Sequence, residues 1–197
     1  TFNHDAYRHD YTAHIPEGFN SDFSNSSKPS TALAPLNASY RVYALPIESP
    51  GHGDRTLEVN PWLADASPEG WHTIPGGTYT GTFTTTRGNN VMAYEDKANT
   101  NAPGAYADGG ANRVFDFPFI VNNTPANLNA STTNLFYVNN KIHDIFYRLG
   151  FTETARNFQA WNFGKGGGQN DYVQAESQDG GGTDNANFST PIDGSRP

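Results

Sequence analysis

Apolar and polar positions alternate along Tyr40-Arg41-Val42-Tyr43-Ala44-Leu45, a strand pattern that Pro46 stops because proline brings no ladder donor. The same period predicts strands over residues 78–85 and 91–94. Between them, Gly88-Asn89-Asn90 has the composition of a tight reversal with positive φ. Residues 114–120 predict one more short strand, pushed towards an edge or bulge by Pro118. The period changes at Leu135, Val138, Ile142, Ile145, Phe146 and Leu149, which fall on one face of a helix capped near Thr132 or Thr133 and ended by Gly150. A shorter helical piece is expected over residues 152–157. Residues 171–176 and 185–190, around a loop at 178–184, predict a C-terminal hairpin.

Residues 1–36 lack this periodicity and end in a polar run, Ser24-Asn25-Ser26-Ser27-Lys28-Pro29-Ser30, so they read as a flexible arm ahead of a body at 37–197. Apolar residues make up only 35% of the chain, but aromatic residues reach 13%, and large rings supply enough buried area for one core. A net charge of −8 repels phosphate backbones and anionic lipid, which argues against nucleic-acid and membrane partners. No run approaches the ~20 apolar residues of a spanning helix. Without cysteine there is no disulfide, thiolate metal site or cysteine nucleophile. Asn-x-Ser/Thr triplets at Asn25, Asn37, Asn122, Asn129 and Asn187, with few lysines and many Gly, Asn and Thr, favour a secreted, extracellular glycoprotein rich in turns.

Six histidines are candidates for chemistry. His4, His9 and His14, with Asp5 and Asp10 beside the first two, offer imidazole and carboxylate ligands. Their five-residue spacing fans them around a helix and alternates them on a strand, so a solvated arm is the preferred reading. His143 shares a helical ridge with Asn139 and Tyr147, suited to orienting a catalytic group or to bonding a neighbouring segment; its adjacency to Asp144 carries little weight, since helix neighbours point ~100° apart. His52 and His72 stand alone. Gly164-Lys165-Gly166-Gly167-Gly168 lacks the spacing of a phosphate loop and reads as a mobile loop. There is no Gly-x-Ser-x-Gly elbow and no His-Glu-x-x-His, the arrangement that sets two imidazoles on one helical face with a glutamate between them.

Several stretches resemble one known family: Thr85-Thr86-Arg87-Gly88-Asn89-Asn90-Val91, the helix from Asn134 to Tyr147, Gly150-Phe151-Thr152-Glu153, Gln169-Asn170-Asp171-Tyr172-Val173, and Asp184-Asn185-Ala186-Asn187-Phe188-Ser189-Thr190-Pro191. They look like the fungalysins, the M36 zinc endopeptidases secreted by fungi and distantly similar to thermolysin. The resemblance runs from about Tyr40 to Pro197. It implies an α+β fold, the β-rich N-terminal lobe of a thermolysin-like zincin, with one long helix and a C-terminal edge-strand hairpin. It also implies that the helix bearing His-Glu-x-x-His lies beyond Pro197, so no catalytic or zinc residue is assigned here. Zinc would be bound by residues outside this sequence, brought by the C-terminal half of the catalytic module as continuation or second chain. Residues 1–36 would be a propeptide remnant.

The strand Asn185-Ala186-Asn187 would be the family's substrate-binding edge, because an unpaired strand edge grips an extended peptide by main-chain hydrogen bonds. Two functions stay open at this level. One is a metalloendopeptidase lobe, inactive in isolation; the other is a noncatalytic secreted protein that holds peptide or glycan. A glycosidase rests only on abundant carboxylates and aromatic rings.

Overall fold

The computed structural model describes residues 36–183 and 186–197. The arm with its three histidines, Asn25, Asp184 and Asn185 lie outside the described residues. β1 (Ser39–Val42) buries Tyr40 and Val42 and turns Ser39 and Arg41 outward, the alternation its sequence predicts. It pairs antiparallel with β2 (Thr56–Val59). On its other side it pairs in parallel with β6 (Val114–Phe115), an edge strand of two residues. Outside this sheet Arg41 and Asp116 form a two-pronged ion pair at 3.0 and 3.2 Å.

β3 (Thr73–Ile74) and β4 (Gly81–Thr82) form a two-stranded ladder. β4 is thus shorter than the strand expected over residues 78–85, and its partner lies before it in the chain rather than after it. β5 (Val91–Glu95) instead pairs in parallel with β7 (Val173–Ser177), about eighty residues away. β5 is buried on both faces. Val91 and Ala93 join Tyr40, Trp71, Phe115 and Phe136 in the main core, whereas Met92 and Tyr94 join Ile74, Ala160 and Tyr172 in a second cluster.

The chain does reverse at residues 88–91, where Gly88 N–H donates to Val91 O and Ala93 N–H to Thr86 O, at 2.9 Å each. None of Gly88, Asn89 and Asn90 takes positive φ, contrary to expectation. Gly88 is required for another reason: a Cβ there would lie 1.6 Å from the Trp71 carbonyl oxygen. The two asparagines then tie distant segments to this reversal. Asn89 pairs its amide with both the N–H and the C=O of Trp161, and Asn90 donates to Ser67 and to Asn140 on the helix.

The helix α1 (Leu128–Arg148) begins about four residues before the expected cap. Asn127 precedes it but spends its side-chain amide on both backbone groups of Ile120, so it fixes the entry of the chain rather than capping the first turn. The end is as the sequence predicts. Gly150 takes φ +100°, Phe151 N–H donates to Phe146 O, and Gly150 N–H donates to Tyr147 O, a pattern that satisfies the last carbonyls. The buried face is the unexpected one. Thr132, Thr133, Phe136, Tyr137, Asn140 and Asp144 are buried, while Ile142, Ile145, Phe146 and Leu149 of the apolar stripe are exposed.

The predicted C-terminal hairpin is not formed among the described residues. β7 takes β5 as its partner, and residues 186–190 are exposed and belong to no strand. The α+β architecture itself stands, with small mixed sheets around one long helix.

Candidate peptide groove and helix network

Among the described residues β7 has a ladder on one side only. Val173 N–H donates to Asn90 O at 2.9 Å, and Ser177 O accepts from Asp96 N–H, so the odd-numbered residues face β5. The backbone groups of Gln174 and Glu176 therefore point to the open side, where Gln174 N–H meets only Pro197 O at 3.4 Å. That open edge borders a groove of about 480 Å3. Leu135 and Asn139 of α1 line it as well, and Ala186, Asn187 and Phe188 stand across from β7. Two of the three expected substrate-binding residues thus reach the groove, as part of a facing segment rather than as a paired strand. Asn185, the third, lies outside the described residues.

The inner face of α1 carries a buried carboxylate. Asp144 is fully buried, and its two oxygens accept hydrogen bonds from Leu63 N–H at 2.9 Å, Ser67 Oγ at 2.6 Å and Trp71 Nε1 at 3.0 Å. His143 Nδ1 lies 3.0 Å from Asp144 Oδ1 as the fourth donor. Adjacent residues on the helix therefore do meet, although their directions differ by ~100°. Asp144 was legible only through its ridge: Phe136, Asn140 and Asp144 are four apart, so a polar group there shares a face with a buried ring.

His72 is buried in the main core between the rings of Phe115 and Phe136, with centroids at 5.1 and 5.0 Å. Its Nδ1 donates to Thr85 O at 3.0 Å, so Nε2 accepts from the Tyr40 hydroxyl at 2.7 Å. Burial first, and the Arg113 guanidinium second, push its pKa down to about 3. This is a packed neutral ring with both nitrogens in use. His52 sits in an exposed turn beside Glu48. Lys165 bonds Glu153 at 3.0 Å and the Tyr147 hydroxyl at 2.8 Å, which fastens the glycine-rich loop that the sequence suggests is mobile.

Among the described residues, the group of carboxylates able to surround an ion is Asp96, Glu176 and Asp179, with oxygens within 4.8 Å of one another. These are hard oxygen donors without an imidazole, whereas peptidase zinc is held by histidine nitrogen. Asp96 is already occupied by Thr100 and Asn101, whose N–H groups, Thr100 foremost, hold its carboxyl below the usual carboxylate range. The described residues do not fit a zinc site. Asn37, Asn122, Asn129 and Asn187 are all exposed.

Residues 39–197 match the model of the fungalysin metallopeptidase (M36) family. The chain is 44% identical over 165 residues to "Extracellular metalloproteinase 5" of Trichophyton tonsurans, covering 80% of this chain and 26% of that protein. It is 42% identical over 161 residues to "Extracellular metalloproteinase 1" of Arthroderma otae, covering 80% of this chain and 25% of that protein. The chain therefore spans about a quarter of the length of these relatives. The match begins at the first residue of β1, ends at Pro197, and takes in the reversal at Gly88, the whole of α1 and the groove beside β7: this chain belongs to the fungalysin (M36) metallopeptidase family.

Proposed function

We propose that this chain is the β-rich lobe of a secreted, zinc-dependent metalloendopeptidase, and that Asn185, Ala186 and Asn187 hold the backbone of the peptide to be cut. The open edge of β7, facing Ala186 and Asn187 across the groove, carries the proposal. An extended peptide laid there meets unpaired backbone groups on β7, and main-chain pairing grips many sequences alike. Ala186 is small enough to let the peptide approach closely. The zinc, on this reading, is held by residues outside the sequence, in a continuation or a second chain, and the 197 residues alone do not hydrolyse peptides.

Relatives named as extracellular metalloproteinases support secretion. Asn25, Asn37, Asn122 and Asn129 are then glycan acceptors, whereas a sugar on Asn187 would fill the groove and exclude peptide. Residues 1–36 fit a propeptide remnant ahead of the matched region.

The test is Ala186→Pro in the longer gene product that contains these residues. Proline removes one N–H donor and fixes φ. Casein turnover is expected to fall on the order of tenfold, the worth of about one good hydrogen bond, with zinc content unchanged. Unchanged turnover removes the segment from the binding role. If the unaltered longer product cuts no casein that phenanthroline can protect, the peptidase reading fails.

A further inference from the structure

We propose that the apolar outer face of α1 and the cavity beside it seat the remaining polypeptide of the peptidase, and that His143 Nε2 accepts a hydrogen bond from it. This rests on the reading of the chain as one lobe of a longer enzyme. Ile142, Ile145, Phe146 and Leu149 are exposed at helical spacing, Leu149 by 76%. An amphipathic helix ordinarily buries such a stripe. The stripe runs into an apolar cavity of about 270 Å3, lined by Ile142, His143, Phe146, Phe151, Phe158 and Phe188. Phe158 meets Phe151 and Phe188 edge to face, with centroids at 5.7 and 6.1 Å, so the wall is a built ladder of rings.

His143 gives the cavity, whose lining also includes Asn90 and Asn139, a directional demand. Its side chain is 8% exposed. Nδ1 carries its hydrogen towards Asp144, whose oxygens face only donors, and in the uncharged tautomer that this bond selects Nε2 is an acceptor. Among the described residues Nε2 is buried without a partner. Whatever covers the face therefore brings apolar side chains and one N–H or O–H. The occupant is polypeptide from the three quarters of the family's length that this chain does not span. A second copy fits poorly, since each chain carries a charge of −8 and like charges repel.

Leu149→Asp, made in both the 197-residue chain and the longer gene product, tests the seat. In the short chain Tm stays within about 2 °C, as for an exposed position. In the longer product Tm falls by on the order of 5 °C or more, because a carboxylate is forced into an apolar contact. An unchanged Tm there overturns the proposal. Anilinonaphthalene sulfonate should fluoresce on the short chain and not on the longer product. If deleting residues 1–35 from the short chain raises that fluorescence, the arm is the occupant and the proposal fails; so it does if the short chain sediments as a dimer that Leu149→Asp splits.

For the hydrogen bond, the His143 Nε2 resonance should sit at the free-acceptor position in the short chain and move in the longer product. The same position in both overturns it. A longer product that cuts no peptide yet loses Tm with Leu149→Asp keeps this interface while removing the peptidase reading.

Discussion

The two faces of α1 invert the usual order of a surface helix. The inner face is half polar, with Thr132, Asn140 and Asp144 beside Phe136 and Tyr137, and the outer face is apolar. Inside, Asp144 receives four donors and Asn140 accepts from Asn90 while donating to Phe136 O, whereas the Thr132 and Thr133 hydroxyls have no partner among the described residues. Outside, Leu149 is 76% and Phe146 49% exposed. The carboxylate and the amide of this face can be buried because each has partners, and an isolated buried charge or amide costs far more than a made hydrogen bond returns. The inner face thus fixes where the loops lie, and the outer face is left for adhesion. Direction of bonding and area of contact are divided between opposite sides of one helix.

Substitutions on the inner face break this division hardest. Asp144→Ala leaves Leu63 N–H, Ser67 O–H and Trp71 N–H without their acceptor in a closed interior, and should lower stability by about 3–5 kcal/mol in urea denaturation of the short chain. A loss under ~1 kcal/mol would mean that water replaces the carboxylate. Asn140→Ala comes next. It orphans Asn90 on one side only, since Asn90 also donates to Ser67, so about 1–3 kcal/mol is expected.

His72, stacked on Phe136 from across the core, adds a pH dependence to the inner face. Its ordinary pKa of 6.5 falls to about 3 in the fold. Between those values the unfolded chain binds a proton that the folded ring refuses. The contribution is fully present above 6.5 and is lost progressively as pH drops towards 3. From pH 6.5 to about 5.5 the loss should be about 1 kcal/mol. His72→Gln should flatten that slope in denaturation curves at the two pH values, and an unchanged slope would place the acid sensitivity elsewhere.

The same helix shows what the sequence reveals and what it hides. The spacing from Leu135 to Leu149 announces a helix, and Gly150 announces its end, because both are local. Periodicity identifies a stripe without saying what lies against it, so the exposed side could be recognised only with the core in view. The strands behaved likewise. Tyr40 and Val42 alternate legibly, but the parallel pairing of β5 with β7 joins residues 82 apart, and no turn chemistry marks it. Gly88-Asn89-Asn90 reads as a turn from composition, whereas its specificity comes from Trp71, Trp161 and Asn140, all distant in the chain. For the groove, the resemblance pointed to the segment at Ala186 and Asn187, which lines it as an unpaired segment rather than as the expected strand.

The outer face should respond least in the short chain, and that weakness is itself informative. Ile145 is 40% exposed, and its replacement by serine removes apolar surface that already meets water. Isoleucine and serine rank alike in helix propensity, so Ile145→Ser should shift the short chain by no more than about 0.5 kcal/mol. A fall of ~2 kcal/mol would mean that Ile145 is already packed in the short chain, and the two faces of α1 would no longer differ in kind. A null result with reduced dye binding would support the opposite: apolar area on this side is held exposed at little cost, and its value appears only when a partner arrives.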